Sequence, residues 1–245
     1  MNHARPLGRF GVDAPWVPWL LVGIGAVYLA LAGCAFWLWD SLAFGIVIGV
    51  VGFLMLGSAA VYWHTTLRGK FVVWQEVLSE LEPAPRVLDM GCGRGAVAIM
   101  TALHFPAAHI EGIDLWRSVD QSGNSATAAA ENARCNSVTG RVAFITADMT
   151  ALPSPDDAFE LVTASLSIHN IPSSAGRARA VDEAWRVLAP GGHLVVVDIS
   201  KVGEYERRLR EIGAVGIIRK PLGWRMWWGG PWMSTDVLQA TKPIP

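Results

Sequence analysis

Asp89, Gly91, Cys92, Gly93 and Gly95 fall in the run Val87–Leu88–Asp89–Met90–Gly91–Cys92–Gly93–Arg94–Gly95, where glycine recurs at every second position behind an acid. Two apolar residues lead in, and Ala96–Leu103 has the composition of a helix leading out. A strand passing through a glycine turn into a helix start brings backbone N–H groups and a positive dipole end close to a ligand. A dinucleotide fingerprint is spaced G-x-G-x-x-G and leaves its turn clear for a pyrophosphate. Here the spacing is G-x-G-x-G, and the Asp89 carboxylate repels phosphate. It suits a ligand with a positive amine or sulfonium. A dinucleotide-dependent oxidoreductase is the alternative that this spacing disfavours.

Two more acids close apolar stretches. Asp114 follows Ile110–Ile113, and Asp148 with Met149 follows Val142–Ala147. An acid at the first position can accept hydrogen bonds from both hydroxyls of a ribose. At the second it can accept from an adenine amine, with Met149 packed on the ring. Any one such acid has an ordinary use as a helix N-cap. Three in register with one glycine turn point to one site. His169 lies four residues after Ser165 and beside Asn170, the one histidine expected at that edge. A histidine there is tuned for general base work near neutral pH, or else it shapes or caps the site. His64, His104, His109 and His193 show no metal spacing, so no metal is expected. The three cysteines, Cys34, Cys92 and Cys135, are widely spaced and are expected reduced.

These residues need a scaffold that gathers strand ends. From Arg86 onward strand and helix patterns alternate: 87–89, 96–103, 110–115, 125–133, 142–147, 161–165, 175–188 and 193–198, the last after a Pro190–Gly191–Gly192 turn. Such alternation predicts a doubly wound, mostly parallel sheet covered by helices, with ligands beyond the strands' carboxyl ends. Strand-like 215–219 and 236–241 follow a short helix over 204–212. The joint Trp116–Asn124 is long and polar. It is either a lid contributing Gln121 and Asn124 or an ordinary surface loop.

The first 85 residues differ in character. Residues 1–15 read as a polar tail without fixed structure. Trp16–Trp39 and Leu42–Trp63 carry no charge, and each is long enough to cross a hydrocarbon core of about 30 Å as a helix. The first run is too long for a cleaved signal peptide and is followed at once by a second. A transmembrane hairpin over 16–64 is therefore expected. A buried helical pair of a soluble protein is the competing reading. Arg5, Arg9, Arg68 and Lys70 flank the pair, against Asp40 alone in the turn, which places both termini and the following domain in the cytoplasm. Trp16, Trp19 and Trp63 suit one interface, Trp37 and Trp39 the other. Gly45, Gly49 and Gly52, with Ala26 and Ala30 opposite, offer small faces for close helix approach and for pairing with a second copy. Residues 65–85 are expected to form an amphipathic connecting helix ending at Pro83 and Pro85. Four of the twelve tryptophans fall in Gly223–Met233, a loop suited to a bilayer interface, an apolar pocket wall or plain packing.

Residues 86–199 resemble a class I S-adenosylmethionine (SAM)-dependent methyltransferase of the small-molecule or lipid type. The pieces that carry the resemblance are VLDMGCGRG, GIDLW, ITADMTALP, ELVTASLSIHNI and RVLAPGGHLVVVDI. It implies an α/β, seven-stranded Rossmann-like sheet over 86–245 whose last strand inserts antiparallel. It further implies that Asp89 and Gly91–Gly95 hold the methionine part of SAM, that Asp114 holds the ribose, and that Leu115, Asp148 and Met149 hold the adenine. Ser165 would lie near the reactive methyl. The expected activity is methyl transfer to a small apolar or lipid acceptor at the cytoplasmic membrane face. The net charge of −1 gives no drive toward nucleic acid. A non-catalytic SAM-binding membrane sensor or scaffold is the alternative from another class. On this reading the anchor is separable: loss of residues 1–64 leaves cofactor binding nearly intact.

Overall fold

In the computed structural model, residues 5–38 and 40–245 are described, so the expectations for Trp39 and for residues 1–4 lie outside it. Seven strands form one sheet: β1 (Arg86–Met90), β2 (His109–Asp114), β3 (Val142–Thr146), β4 (Phe159–Ser165), β5 (Leu188–Asp198), β6 (Val215–Pro221) and β7 (Asp236–Thr241). The spatial order is β3-β2-β1-β4-β5-β7-β6. The first five strands are parallel, and β7 runs antiparallel between β5 and β6. The chain leaves β1 toward β2 and returns to its other side at β4, so the crevice lies beyond the ends of β1 and β4.

Strand side chains alternate between two cores. Val87, Leu161, Val195 and Val197 face one layer, while Leu88, Val162, Leu194 and Val196 face the other. Both faces are therefore covered, which is why these strands are continuous apolar runs. The first layer holds α3 (Lys70–Ser79) and α4 (Ala96–His104), with α5 (Ala126–Cys135) beside them. The second holds α6 (Ser174–Val187) and α7 (Val202–Glu211). Ser125 and Ser173 cap α5 and α6 by accepting from Ala128 N and Gly176 N. The turn expected at Pro190–Gly192 is absorbed into β5. Gly191 at φ +79° makes a bulge there, and the register against β4 jumps from Phe159–Leu188 to Leu161–His193.

The N-terminal half holds α1 (Trp16–Trp37) and α2 (Leu42–His64), two helices long and apolar enough to span a membrane. Only 17% and 22% of their most apolar windows is buried, unlike the core helices of a globular domain. Gly52 lets α2 approach α1, since a Cβ there would meet Leu29 at 2.9 Å and the Gly25 carbonyl at 3.1 Å. Gly45 seats the Phe36 ring. The facing residues on α1 are Gly25, Ala32 and Ala35, which are buried. Ala26 and Ala30, expected on that face, are exposed instead, because the contact stripe follows a different helical register.

Two further expectations are corrected. The connecting helix does not fill 65–85: α2 runs through a π-helical turn, Thr65–Gly69, directly into α3, which ends at Ser79. Gly69 sits where a Cβ would meet the Arg225 carbonyl oxygen at 1.9 Å, so only glycine permits this approach. Nor are residues 5–15 a loose tail. They form a strap in which Leu7 and Arg9 N–H donate to the side-chain carbonyls of Asn136 and Asn132, each at 2.9 Å. Phe10 is fully buried edge-on against Phe71. An apolar anchor and two asparagines, one on α5 and one just after it, give the strap both burial and backbone partners.

Candidate active site

The glycine turn is held from β2: Gly91 N and Cys92 N both donate to the Ile113 carbonyl, at 2.8 and 2.9 Å. Gly91 has φ +71°, and a Cβ there would lie 2.3 Å from Ser167 Cβ. Gly93, at φ +52°, donates its N–H to Asp114 Oδ2 at 2.8 Å. Asp89 is buried beneath this turn, with Oδ2 accepting from Ala98 N at 3.0 Å and Oδ1 from Thr163 Oγ1 at 2.9 Å. Burial outweighs these bonds and raises its carboxyl to about 7. Burial also pushes the Cys92 thiol well above its usual range, which fits a packing residue rather than a nucleophile.

A cavity of about 400 Å³ opens beyond these strand ends. Asp89, Gly91, Cys92, Gly93, Asp114, Leu115, Asp148, Met149, Ser165 and His169 all line it, so the sequence candidates converge. Gly95 does not. It is the left-handed residue before α4, and its Cα faces the Phe144 ring. Asp114 Oδ1 also accepts from Trp116 N at 2.6 Å and Asn124 Nδ2 at 3.2 Å. Asp148 Oδ1 takes the N–H and hydroxyl of Thr150. Ser165 Oγ accepts the Trp74 indole N–H at 2.9 Å.

His169 sits in a short 3₁₀ turn after β4. Its Nδ1 donates to Asp198 Oδ1, and its backbone N–H to Asp198 Oδ2 at 3.1 Å. Asp198 is buried at the end of β5 and also accepts from Ile199 N and the Tyr205 hydroxyl. With Nδ1 engaged, Nε2 is the nitrogen available to take a proton. Burial, followed by the nearby Asp198 charge, drives the Tyr205 phenol far above its usual range, so it stays a donor. Sequence reasoning names His169 without Asp198. The signal for Asp198 is an acid closing the apolar run Leu194–Val197, but only the sheet pairing of β4 with β5 brings the two together.

The other wall comes from the N-terminal half. Asp13, Ala14, Trp16, Tyr62, Lys70, Phe71 and Trp74 line the same cavity, joined by Trp228. The joint 116–124 borders the cavity: Gln121 and Asn124 line it, and Gln121 Oε1 accepts from Arg94 N at 2.8 Å. Trp228 is buried, donates to Thr235 Oγ1 at 3.1 Å and packs edge-on against Tyr62. Trp224 and Trp232 are the loop's exposed tryptophans.

The residues suit a SAM-like cofactor. The glycine turn leaves a cradle that a Cβ would fill, and below it lies a buried acid with no cationic partner among the described residues. Asn124 Oδ1 is a buried acceptor with no hydrogen-bond partner among the described residues. A cofactor with an amine, a sulfonium and sugar hydroxyls supplies the missing charge and donors.

Known proteins point the same way. Residues 87–192 match the methyltransferase domain family model. A demethylmenaquinone methyltransferase of Thermus thermophilus is 37% identical over 119 residues, 48% of this chain and 49% of the relative. A ubiquinone/menaquinone biosynthesis C-methyltransferase of Ruegeria sp. is 29% identical over 133 residues, 53% of this chain and 50% of the relative. The chain thus spans about half the length of the curated relatives it matches. The crystal structure of a putative SAM-dependent methyltransferase from Methanococcus maripaludis shares the fold, with a TM-score of 0.57 at 16% identity over 78% of this chain and 94% of that one.

Proposed function

We infer that this chain, a class I SAM-dependent methyltransferase by its sheet, its glycine turn and its family match, methylates a small apolar, quinone-like acceptor at the cytoplasmic face of a membrane. One observation carries the reading: a single cavity is bounded by the acids and His169 on one side and by Trp16 and Tyr62 of the two apolar helices on the other. An acceptor reaching His169 through that wall stays in contact with apolar surface, which lowers the cost of leaving the bilayer. The relatives' names supply the acceptor class, and the aromatic lining from Phe71, Trp74 and Trp228 suits a flat apolar ring.

SAM, when bound, supplies an activated methyl group on sulfur. Asp89, Asp114, Asp148 and Met149 would hold it, with Asn124 and the glycine turn. Methyl transfer then needs alignment more than acid–base power. For an acceptor whose ring must first lose a hydroxyl proton, His169 Nε2 receives it, and Asp198 stabilises the imidazolium through Nδ1. Trp74, donating to Ser165, fixes that part of the cavity wall. The His169–Asp198 pair favours an enzyme over a SAM-binding sensor, which has no use for an oriented base.

The test is transfer of labelled methyl from SAM into a membrane lipid extract by the full chain in nanodiscs. Label in the organic phase, absent with Asp114→Ala, is expected. SAM binding with no label in any lipid fraction would favour the sensor.

A further inference from the structure

Asp13 gathers several partners at the C-terminal end of the strap. Its Oδ1 accepts from Gln121 Nε2 at 2.9 Å, and its Oδ2 from Lys70 Nζ at 2.6 Å and Thr66 Oγ1 at 2.7 Å. Its N–H donates to Thr66 Oγ1, and its carbonyl accepts the Tyr62 hydroxyl at 2.8 Å. Lys70 is buried, so its ammonium depends on this carboxylate for a counter-charge. Around Asp13 the strap is laced to the lid: Ala14 N donates to Asp120 O, Ser122 N to Val12 O, and Val12 N to Ser122 Oγ. The lid in turn reaches the cofactor turn, because Gln121 Oε1 takes Arg94 N and is the atom a Cβ on Gly93 would meet at 2.6 Å.

We propose that Asp13 is a latch, a positioning residue that holds the lid 116–124 over the cofactor turn and ties cofactor affinity to the seating of the membrane hairpin. The hairpin side of the junction is Tyr62, Thr66 and Lys70, at the end of α2, in the π-helical turn and at the start of α3. The strap side is three residues from Trp16, where α1 begins. A π-helical turn at this junction places Thr66 and Lys70 on the face that meets Asp13, a placement such bulges often serve. The hairpin is then part of the cofactor site, contrary to the separable anchor expected from sequence. The inference rests on SAM being the cavity's cofactor.

The experiment uses the full chain in nanodiscs, with SAM affinity measured by calorimetry and lid opening by hydrogen exchange across 116–124. Asp13→Ala is expected to raise the SAM dissociation constant tenfold or more and to increase exchange in the lid, with exchange in β1 and β4 unchanged. Gln121→Ala should act in the same direction, and the double variant should add little to either alone. Since Asp13→Ala leaves Lys70 without its counter-charge, the pair Asp13→Asn with Lys70→Met serves if the single variant does not fold. A folded variant with SAM affinity within twofold of the parent, or effects of Asp13 and Gln121 that add in full, would overturn the latch. If the parent chain itself fails to bind SAM, the cofactor reading falls, and increased lid exchange in Asp13→Ala would then reduce Asp13 to a structural strap.

Discussion

On the sheet side of the cavity strand ends place most of the polar groups: Asp89 just before the end of β1, Asp114 closing β2, Ser165 closing β4 and Asp198 closing β5. On the hairpin side the polar groups come from an extended strap, a π-helical turn and a helix end, and they meet only through tertiary contacts. The sheet side needs short-range order, since a strand of known register delivers its last residue to a predictable edge. The hairpin side needs partners 49 to 108 residues away in sequence to find one aspartate. The difference shows how one site can be partly dictated by local pattern and partly assembled by long-range packing.

The largest effect should come from the sheet side. His169→Ala is expected to lower turnover by roughly 10²–10⁴ with SAM affinity little changed, and His169→Asn should not restore it. Single-turnover kinetics with saturating SAM reads this, and near-normal turnover would leave His169 only a shaping role. Next comes the cofactor contact. Charge-assisted hydrogen bonds contribute about 1.5–3 kcal/mol, so Asp114→Ala should weaken SAM at least tenfold by calorimetry. Because Asp114 also accepts from Gly93 N and Trp116 N, a melting curve should confirm that the variant is folded.

A smaller effect concerns Asp89. Its carboxyl is raised from 3.8 to about 7, chiefly by burial, so the fold favours the protonated form. Its contribution to stability is complete below the unfolded value and declines as pH rises toward about 7. Asp89→Asn should remove that decline, leaving a ligand-free variant whose stability relative to the parent improves from pH 5 to pH 8 in denaturant titrations. On the proposed reading, SAM's positive charge favours the ionised form of this acid, so the parent should bind SAM more tightly as pH rises through 7. Affinity that is flat across that range would separate Asp89 from the cofactor's charge.

The same contrast explains what the sequence conveyed. Asp89, Asp114 and Asp148 were legible because each closes an apolar run at a spacing that a parallel sheet turns into one edge. Seven strands and their antiparallel insertion followed from the alternation and from the resemblance of 86–199. Asp198 escaped because its acid has meaning only beside His169, across the β4–β5 pairing. Asp13 was hidden in a polar, proline-containing stretch, where Phe10 alone marks burial and its pocket is built by Phe71 of α3. Lys70, read as a flanking charge that orients the hairpin, also pairs with Asp13 inside the fold. The tryptophans likewise divide only in three dimensions: Trp228 walls the cavity, whereas Trp224 and Trp232 remain exposed.

Whether the hairpin walls the place where the acceptor reacts is tested most directly by photo-crosslinking in nanodiscs containing lipid extract and methyl-labelled SAM. A photoreactive residue replaces Trp16, which lines the cavity, or Val47, an exposed residue within α2. A parallel run with adenine-labelled SAM marks crosslinked cofactor, so capture seen with the methyl label alone marks the acceptor whatever its identity. Labelled acceptor captured at position 16 well above position 47 is the expected result. Equal capture at the two positions would mean that the product meets the hairpin only as bulk lipid, and that the active site belongs to the sheet alone.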